Sequence, residues 1–354
     1  MTTAFDPLDL AGTPLSNRIA LAPMTRSRAF GPGNSPTDST AEYYAQRASG
    51  GLLITEGIQP SVIGQGYPDT PGLHSQEQID AWRKVTDAVH AKGGKIVAQL
   101  MHGGRIGHPD LLPDGLVPVA PSAVAAPGQV YLHSGPKDYV TPKELTSEEI
   151  TATVADFVSA ARNAIEAGFD GVELHGANGY LIHQFLAPNS NVRTDEWGGS
   201  AENRIRFAVE VARAVVAEIG AARTGIRLSP SNGSLGLEEP DFEPTYTALV
   251  RELATLDLAF LHLIEINREF TETVRKLFPG TFILNVKTEG PTSAAELKLI
   301  EDGTADVISY GVLFLSNPDL PARLKAGGPY NDVDPSTFFG GDDKGYTDYP
   351  FLEG

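Results

Sequence analysis

Short apolar runs recur along the chain at 19–22, 52–55, 96–100, 171–174, 225–228, 260–263, 282–284 and 307–309. Each is too short for a helix, and each is apolar almost throughout rather than alternating. That is the pattern of strands in a parallel sheet covered on both faces. Amphipathic stretches fill most of the gaps and carry helix-start signals. Ser75 with Gln78 forms a capping-box pattern before a helix over 79–91, and Gly93 and Gly94 can end it. Thr146 with Glu149 repeats the pattern before 150–167, which Gly168 follows. Pro244 suits the first turn of a helix over 245–256, and Thr292 suits the cap of one over 293–301. Strand–helix alternation eight times over favours a closed α/β barrel, the (β/α)₈ TIM barrel, over an open doubly wound sheet. The reading is one domain over 1–354. Three segments fall outside the repeat: a short hairpin at 5–18 that could plug the barrel floor, a Gly/Pro-rich excursion at 101–145 after the third strand, and a tail at 329–354. A loop as long as the excursion is usually functional or disordered, and its position caps the C-terminal end of the barrel.

Charge narrows the partners. Asp plus Glu number 45 against 27 Lys plus Arg, a net charge of −18. Such a surface repels nucleic acid and anionic lipid, so neither is expected as a partner. The absence of cysteine excludes disulfides, thiolate metal sites and cysteine nucleophiles. No secretory leader and no apolar run of membrane-spanning length is evident, so a cytoplasmic protein acting as a monomer or homodimer is expected.

In a barrel, side chains at the C-terminal strand ends converge on one site. Pro23, Met24 and Thr25 follow the first strand, Gln99 and His102 lie at the end of the third, His175, Asn178 and Tyr180 follow the fourth, and Arg227 is on the fifth. A histidine ending an apolar strand, or a lone arginine, commonly serves structure alone. It is their joint placement that points to chemistry. His175 and Asn178 could both hydrogen-bond one carbonyl oxygen and stabilise charge developing on it. Tyr180 could then give or take a proton. No metal is expected, because His175 and His183 lie far apart with no clustered carboxylates. No G-x-S-x-G elbow is present.

The segments LAPMTRSRA (21–29), QLMHGGRIGH (99–108), ELHGANGYLIHQFLAPNSNVRTDEWGGSAENRIRF (173–207), RLSP (227–230), SNPDLPARL (316–324) and GYTDYP (345–350) resemble the Old Yellow Enzyme family, in its plant and bacterial branch. The resemblance covers almost the whole chain. It implies an FMN-dependent ene-reductase that reduces activated C=C bonds of α,β-unsaturated carbonyl compounds with NADPH or NADH. In that reading His175 and Asn178 hold the substrate oxygen and Tyr180 protonates the α-carbon. Thr25 bonds the flavin O4, Gln99 its pyrimidine edge, and Arg227 lies near N1. Pro23 and Met24 supply backbone contacts, and Tyr67 lines the substrate opening.

The resemblance also shows departures. The family's phosphate site draws on a Gly-x-Gly turn after strand seven and a Gly-Arg pair after strand eight. Here the first reads NVKTEG (285–290), with Lys287 and Glu289 at the glycines, and in the second Gly311 is followed by Val312. Glycine matters there for close backbone approach, and arginine for its charged fork. Lys287 and Gly311 are the remaining candidates for that end. Met101 and Gly103 stand where bulkier residues are usual, which implies a roomier substrate pocket, and Phe339 replaces a tail aromatic that often carries a hydroxyl. An altered phosphate site beside an intact substrate set also admits a flavin-free isomerase or cyclase with Tyr180 as acid or base, or a barrel that only binds ligand.

Overall fold

Eight parallel strands close into a barrel in chain order. They are β1 (Ile19–Leu21), β2 (Leu52–Ile58), β3 (Ile96–Leu100), β4 (Gly171–Gly176), β5 (Thr224–Leu228), β6 (Phe260–Ile264), β7 (Thr281–Asn285) and β8 (Val307–Tyr310). β8 pairs with β1 through Ile308–Ile19 and Tyr310–Leu21, which seals the ring. The computed structural model describes residues 2–290 and 292–352, so the last two residues of the expected tail lie outside it. All eight expected strands are present, several one to three residues longer.

Helices cover the outside: α1 (Asp38–Gln46), α2 (Gln76–Ala91), α3 (Ser147–Glu166), α4 (Ala201–Ile219), α5 (Phe242–Ala254), α6 (Arg268–Leu277), α7 (Lys298–Glu301) and α8 (Leu320–Ala326). The capping boxes at Ser75–Gln78 and Thr146–Glu149 form as expected. Before α7 the cap is Ser293, boxed with Glu296, rather than Thr292, and the chain passes through a 3₁₀ turn first. The glutamate three residues on from Ser293 settles that choice.

Strand alternation divides the apolar residues into two cores. Outward-facing Leu174, Ile226, Leu263, Leu284 and Ile308 join the helices' Phe157, Val211, Leu249 and Val274 in the larger one. Inward-facing Ala20, Leu52, Ile54, Val97, Phe260, Ile283 and Val307 form the smaller one, closed from below by Leu10 and Leu15. Those two belong to the expected hairpin, Leu8–Leu10 against Thr13–Leu15. Burying such a side chain fully contributes about 1.5–3 kcal/mol. Gly225, paired with Phe260, makes room for its ring: a β-carbon there would lie 2.3 Å from the Phe260 Cζ.

Two residues further along each strand, the inward face changes character. Above the apolar floor stand Gln99, Glu173, His262 and Ser309, all buried. Gln99 Nε2 donates to Glu173 Oε1 at 2.8 Å, and His262 Nδ1 meets Glu173 Oε2 at 2.8 Å. Burial holds the His262 pKa below its ordinary value, so the ring is neutral; Nδ1–H donates to Glu173 and Nε2 accepts from Ser309 Oγ at 2.9 Å. Glu173→Gln keeps the shape but offers one acceptor to two donors. We expect it to cost about 1–3 kcal/mol, read as a lower urea midpoint at unchanged m-value.

Candidate active site

The layer above this network opens into a cavity of about 690 Å³. Its wall includes Pro23, Met24 and Thr25 after β1, Gln99 and Met101 from β3, His175, Asn178 and Tyr180 from β4 and its loop, and Arg227 from β5. Tyr67 and Phe339 complete the expected set. Eleven of the thirteen expected site residues therefore share one cavity. Lys287 and Gly311 do not line it. Lys287 is exposed and its Nζ donates to the Ile266 carbonyl at 3.1 Å, while Gly311 sits behind Met24. His102 is also outside. It is buried, its Nδ1 accepts from Gly104 N at 3.0 Å, and its ring lies near Phe157. Gly103 opens no space either, since its α-carbon packs on Gly66, and a β-carbon would come within 2.9 Å of it.

The hydrogen bonds fix which groups can donate. His175 Nδ1 accepts from Ala177 N at 3.2 Å. Burial, with Arg227 and two further histidines nearby, holds the His175 pKa well below its ordinary value. The ring is therefore neutral with its proton on Nε2. Asn178 Oδ1 accepts from Asn232 Nδ2 at 3.4 Å, which leaves the Asn178 amide nitrogen as donor. Asn178 has φ 55°, a left-handed conformation that asparagine tolerates, and its N–H is held by Ser229 Oγ at 2.9 Å. Both side chains thus offer N–H groups to a ligand oxygen.

Tyr180 stands beside them, its ring edge-on to His175 at 4.8 Å between centroids. Its hydroxyl is 3.1 Å from that of Tyr67. Burial raises the Tyr180 pKa; the Tyr67 bond and the Arg227 charge partly oppose this. The phenol keeps its proton at neutral pH. The turn that carries both residues is braced from below. His183 Nδ1 accepts from Gly179 N at 3.0 Å, and its Nε2 meets Glu239 Oε2 at 2.9 Å. Glu239 Oε1 in turn accepts from Tyr246 Oη at 3.0 Å.

Arg227 is buried, and that lowers its pKa to about 10, still charged at neutral pH. Its NH2 donates to Asn285 Oδ1 at 3.1 Å, while Nε has no partner. Gln99 donates one amide N–H to Glu173, which fixes the amide's orientation and leaves its carbonyl oxygen and second N–H for a ligand. Met101 is buried against Gly57, where a β-carbon would meet its sulfur at 2.5 Å.

Two segments finish the wall. The antiparallel ribbon Gln129–Leu132 with Gly135–Asp138, inside the long excursion, contributes Gln129, Val130 and Tyr131. The tail contributes Phe338 and the exposed Phe339, and arginines of the segment after β1 hold the backbone on either side of them. Arg26 donates to the carbonyls of Phe338, Thr337 and Gly345, and Arg28 to those of Asp342 and Thr337. Both guanidinium groups also lie over the Tyr346 ring, at 5.0 and 4.6 Å.

Beneath that clamp Glu56 accepts from Arg26 N at 3.2 Å. Burial pushes the Glu56 pKa from 4.5 up to about 7, against the pull of Arg26 and Arg28. A carboxyl with a raised folded-state pKa contributes stability below about pH 4.5 that is lost as pH climbs through about 7. The loss is on the order of 3 kcal/mol at 1.36 kcal/mol per pH unit. We expect the thermal midpoint of wild type to fall by several degrees more between pH 5 and 8 than that of Glu56→Gln. Parallel melting curves for the two would remove this role for Glu56.

Comparison with known proteins places the chain in a family. The family model described as NADH:flavin oxidoreductase / NADH oxidase matches residues 3–331. The 12-oxophytodienoate reductase 1 of Oryza sativa subsp. japonica is 44% identical over 357 residues, covering 98% of this chain and 92% of that protein. Morphinone reductase superposes with a TM-score of 0.94 at 42% identity, covering 99% of this chain and 96% of that one. The old yellow enzyme homologue from Zymomonas mobilis gives 0.94 at 40%, covering 99% and 100%. None of these supports the non-redox isomerase or cyclase reading. The chain belongs to the NADH:flavin oxidoreductase / NADH oxidase family, as an Old Yellow Enzyme homologue and an FMN-dependent oxidoreductase.

Proposed function

We propose that this chain reduces activated C=C bonds of α,β-unsaturated carbonyl compounds, with NADPH or NADH as reductant, and that the His175–Asn178–Tyr180 wall carries the substrate chemistry. The observation behind this reading is the convergence of two N–H donors and one neutral phenol on a single face of the cavity. The residues around that face suit a flavin ring. Arg227 has a buried, unpartnered N–H, Gln99 presents an acceptor, Thr25 a hydroxyl, and Pro23 and Met24 lie at the same level.

FMN, when bound, supplies the hydride to the β-carbon. His175 Nε2–H and Asn178 Nδ2–H then hold the carbonyl oxygen and stabilise the negative charge that accumulates on it. Tyr180 donates its proton to the α-carbon, and the Tyr67 hydroxyl stabilises the resulting phenolate. Arg227 holds positive charge at the far side of the ring site. Met101 and Val130 inside the cavity, with Tyr131 and Phe339 at its exposed mouth, make an apolar and aromatic lining that favours a bulky hydrocarbon skeleton around one polar carbonyl. Two of the relatives are named for reducing 12-oxophytodienoate and morphinone, and we place the substrate of this chain in the same enone class.

The test is anaerobic. Enzyme reduced with NADPH is mixed with a cyclic enone and, separately, with the matching saturated ketone. Rapid flavin reoxidation by the enone alone is expected. Reoxidation by oxygen but not by any enone would overturn the reading.

A further inference from the structure

The cavity carries its charge at one end. Among the described residues, Arg227 is the one charged side chain in its wall. Its guanidinium is tied to Asn285 at the end of β7. Beyond that point, toward the segment after β8, the wall is made by Val312 and Leu315. Val312 is 46% exposed and opens a short helix, Val312–Ser316. The loop after β7 offers Lys287, but this side chain is exposed, bonded to the Ile266 carbonyl, and outside the wall. Glu289, two residues on, is exposed and negative. Beyond Arg227, a ligand phosphate beside Val312 therefore meets no fixed cationic side chain among the described residues, on a protein whose net charge is −18.

We infer that this chain holds its cofactor by the ring and not by the phosphate, so that riboflavin binds within about tenfold of FMN. The inference rests on the flavin reading above and concerns which flavin the site accepts. A charge-assisted hydrogen bond to the phosphate would separate the two by roughly ten- to 150-fold, equivalent to about 1.5–3 kcal/mol at 1.4 kcal/mol per decade. Without one, the dianionic phosphate gains little locally and meets the long-range repulsion of an acidic protein. The sign of the salt dependence follows. Salt screens repulsion, so FMN affinity rises with ionic strength relative to riboflavin. A site built on a phosphate–arginine pair would show the opposite trend.

The experiment titrates flavin-depleted protein with FMN and with riboflavin, at low and at high salt, following flavin fluorescence or heat. Dissociation constants within tenfold, with FMN favoured by added salt, are the expected result. FMN binding a hundredfold more tightly than riboflavin, or weakening with salt while riboflavin does not, would overturn the inference and leave the ene-reductase reading standing. Failure of both flavins to bind would overturn that reading instead. A second variant reads the same question in reverse. Val312→Arg, at a half-exposed position that needs no repacking, should tighten FMN at least tenfold and leave riboflavin unchanged. Equal affinities for FMN in Val312→Arg and wild type would remove Val312 from the phosphate end.

Discussion

With Tyr180 replaced by phenylalanine, enone reduction slows by about 10²–10⁴, the range for removal of a positioned proton donor, while reduction of the flavin by NADPH stays within a few-fold of wild type. Phenylalanine keeps the ring that packs edge-on to His175, so the cavity wall is preserved and only the proton is lost. The two half-reactions separate because protonation of carbon is needed only when the alkene is reduced. Stopped-flow measurement of each half-reaction makes the split visible, and equal losses in both would show that Tyr180 shapes the pocket rather than donating a proton. The wild-type rate of alkene reduction should also be level from about pH 6.5 to 9, above which Arg227, lowered to about 10, begins to lose its charge. His175 is neutral throughout, its pKa lying well below 6.5, and Tyr180 keeps its proton until above 10. A residual rate in the variant would come from Tyr67, whose hydroxyl lies 3.1 Å from that of Tyr180.

The second large effect is expected at Asn178. Glycine is the informative replacement, because φ 55° is as comfortable for glycine as it is strained for alanine. Asn178→Gly keeps the turn and removes one of two N–H donors to the substrate oxygen. Loss of one such donor lowers kcat by roughly 10²–10³. Unlike the tyrosine change, this one should slow both half-reactions. An enone carbonyl and a nicotinamide carboxamide each present a carbonyl oxygen at the same distance from the carbon that exchanges hydride, and one cavity serves both. A loss confined to enone reduction would show that nicotinamide is oriented by other groups. His175 provides the internal comparison: removing both donors should cost less than the sum of the two single changes if they share one oxygen.

The barrel and most of its site were legible in the sequence for a simple reason. Inward-facing positions repeat every second residue, and a strand that ends in His, Gln or Arg after an apolar run places that group at the mouth. The same alternation exposes Glu173, which sits between Val172 and Leu174, two residues before His175 on the same inward face, and anchors both Gln99 and His262. His183 and Glu239 carried no such signal. They meet only because the β5 loop folds back under the β4 loop, a long-range contact that no spacing reports. The place of Lys287 in the loop after β7 points to the phosphate end. A loop position does not fix the direction of a long side chain, and this one turns to the Ile266 carbonyl. Helices α1, α4 and α6 lacked the Glu or Gln three residues past the cap that marked α2 and α3. Their caps, Thr37, Ser200 and Asn267, were visible only as isolated polar residues.

The clamp of Arg26 and Arg28 on residues 337–345 has a consequence for the order in which the protein folds. More than 300 residues separate Arg26 from the carbonyls of Thr337, Phe338 and Gly345 that it binds. β1 likewise waits for β8 before it has a neighbour on its second edge. The nascent chain can thread most of its barrel strands before either joint is possible. Contacts between the two ends of a chain are the most costly in loop-closure entropy. The ring and the clamp therefore close late in folding, after the intervening strands have paired. A truncation that removes everything from residue 337 onward takes away Phe338 and Phe339 and should leave the barrel with the cavity open on one side.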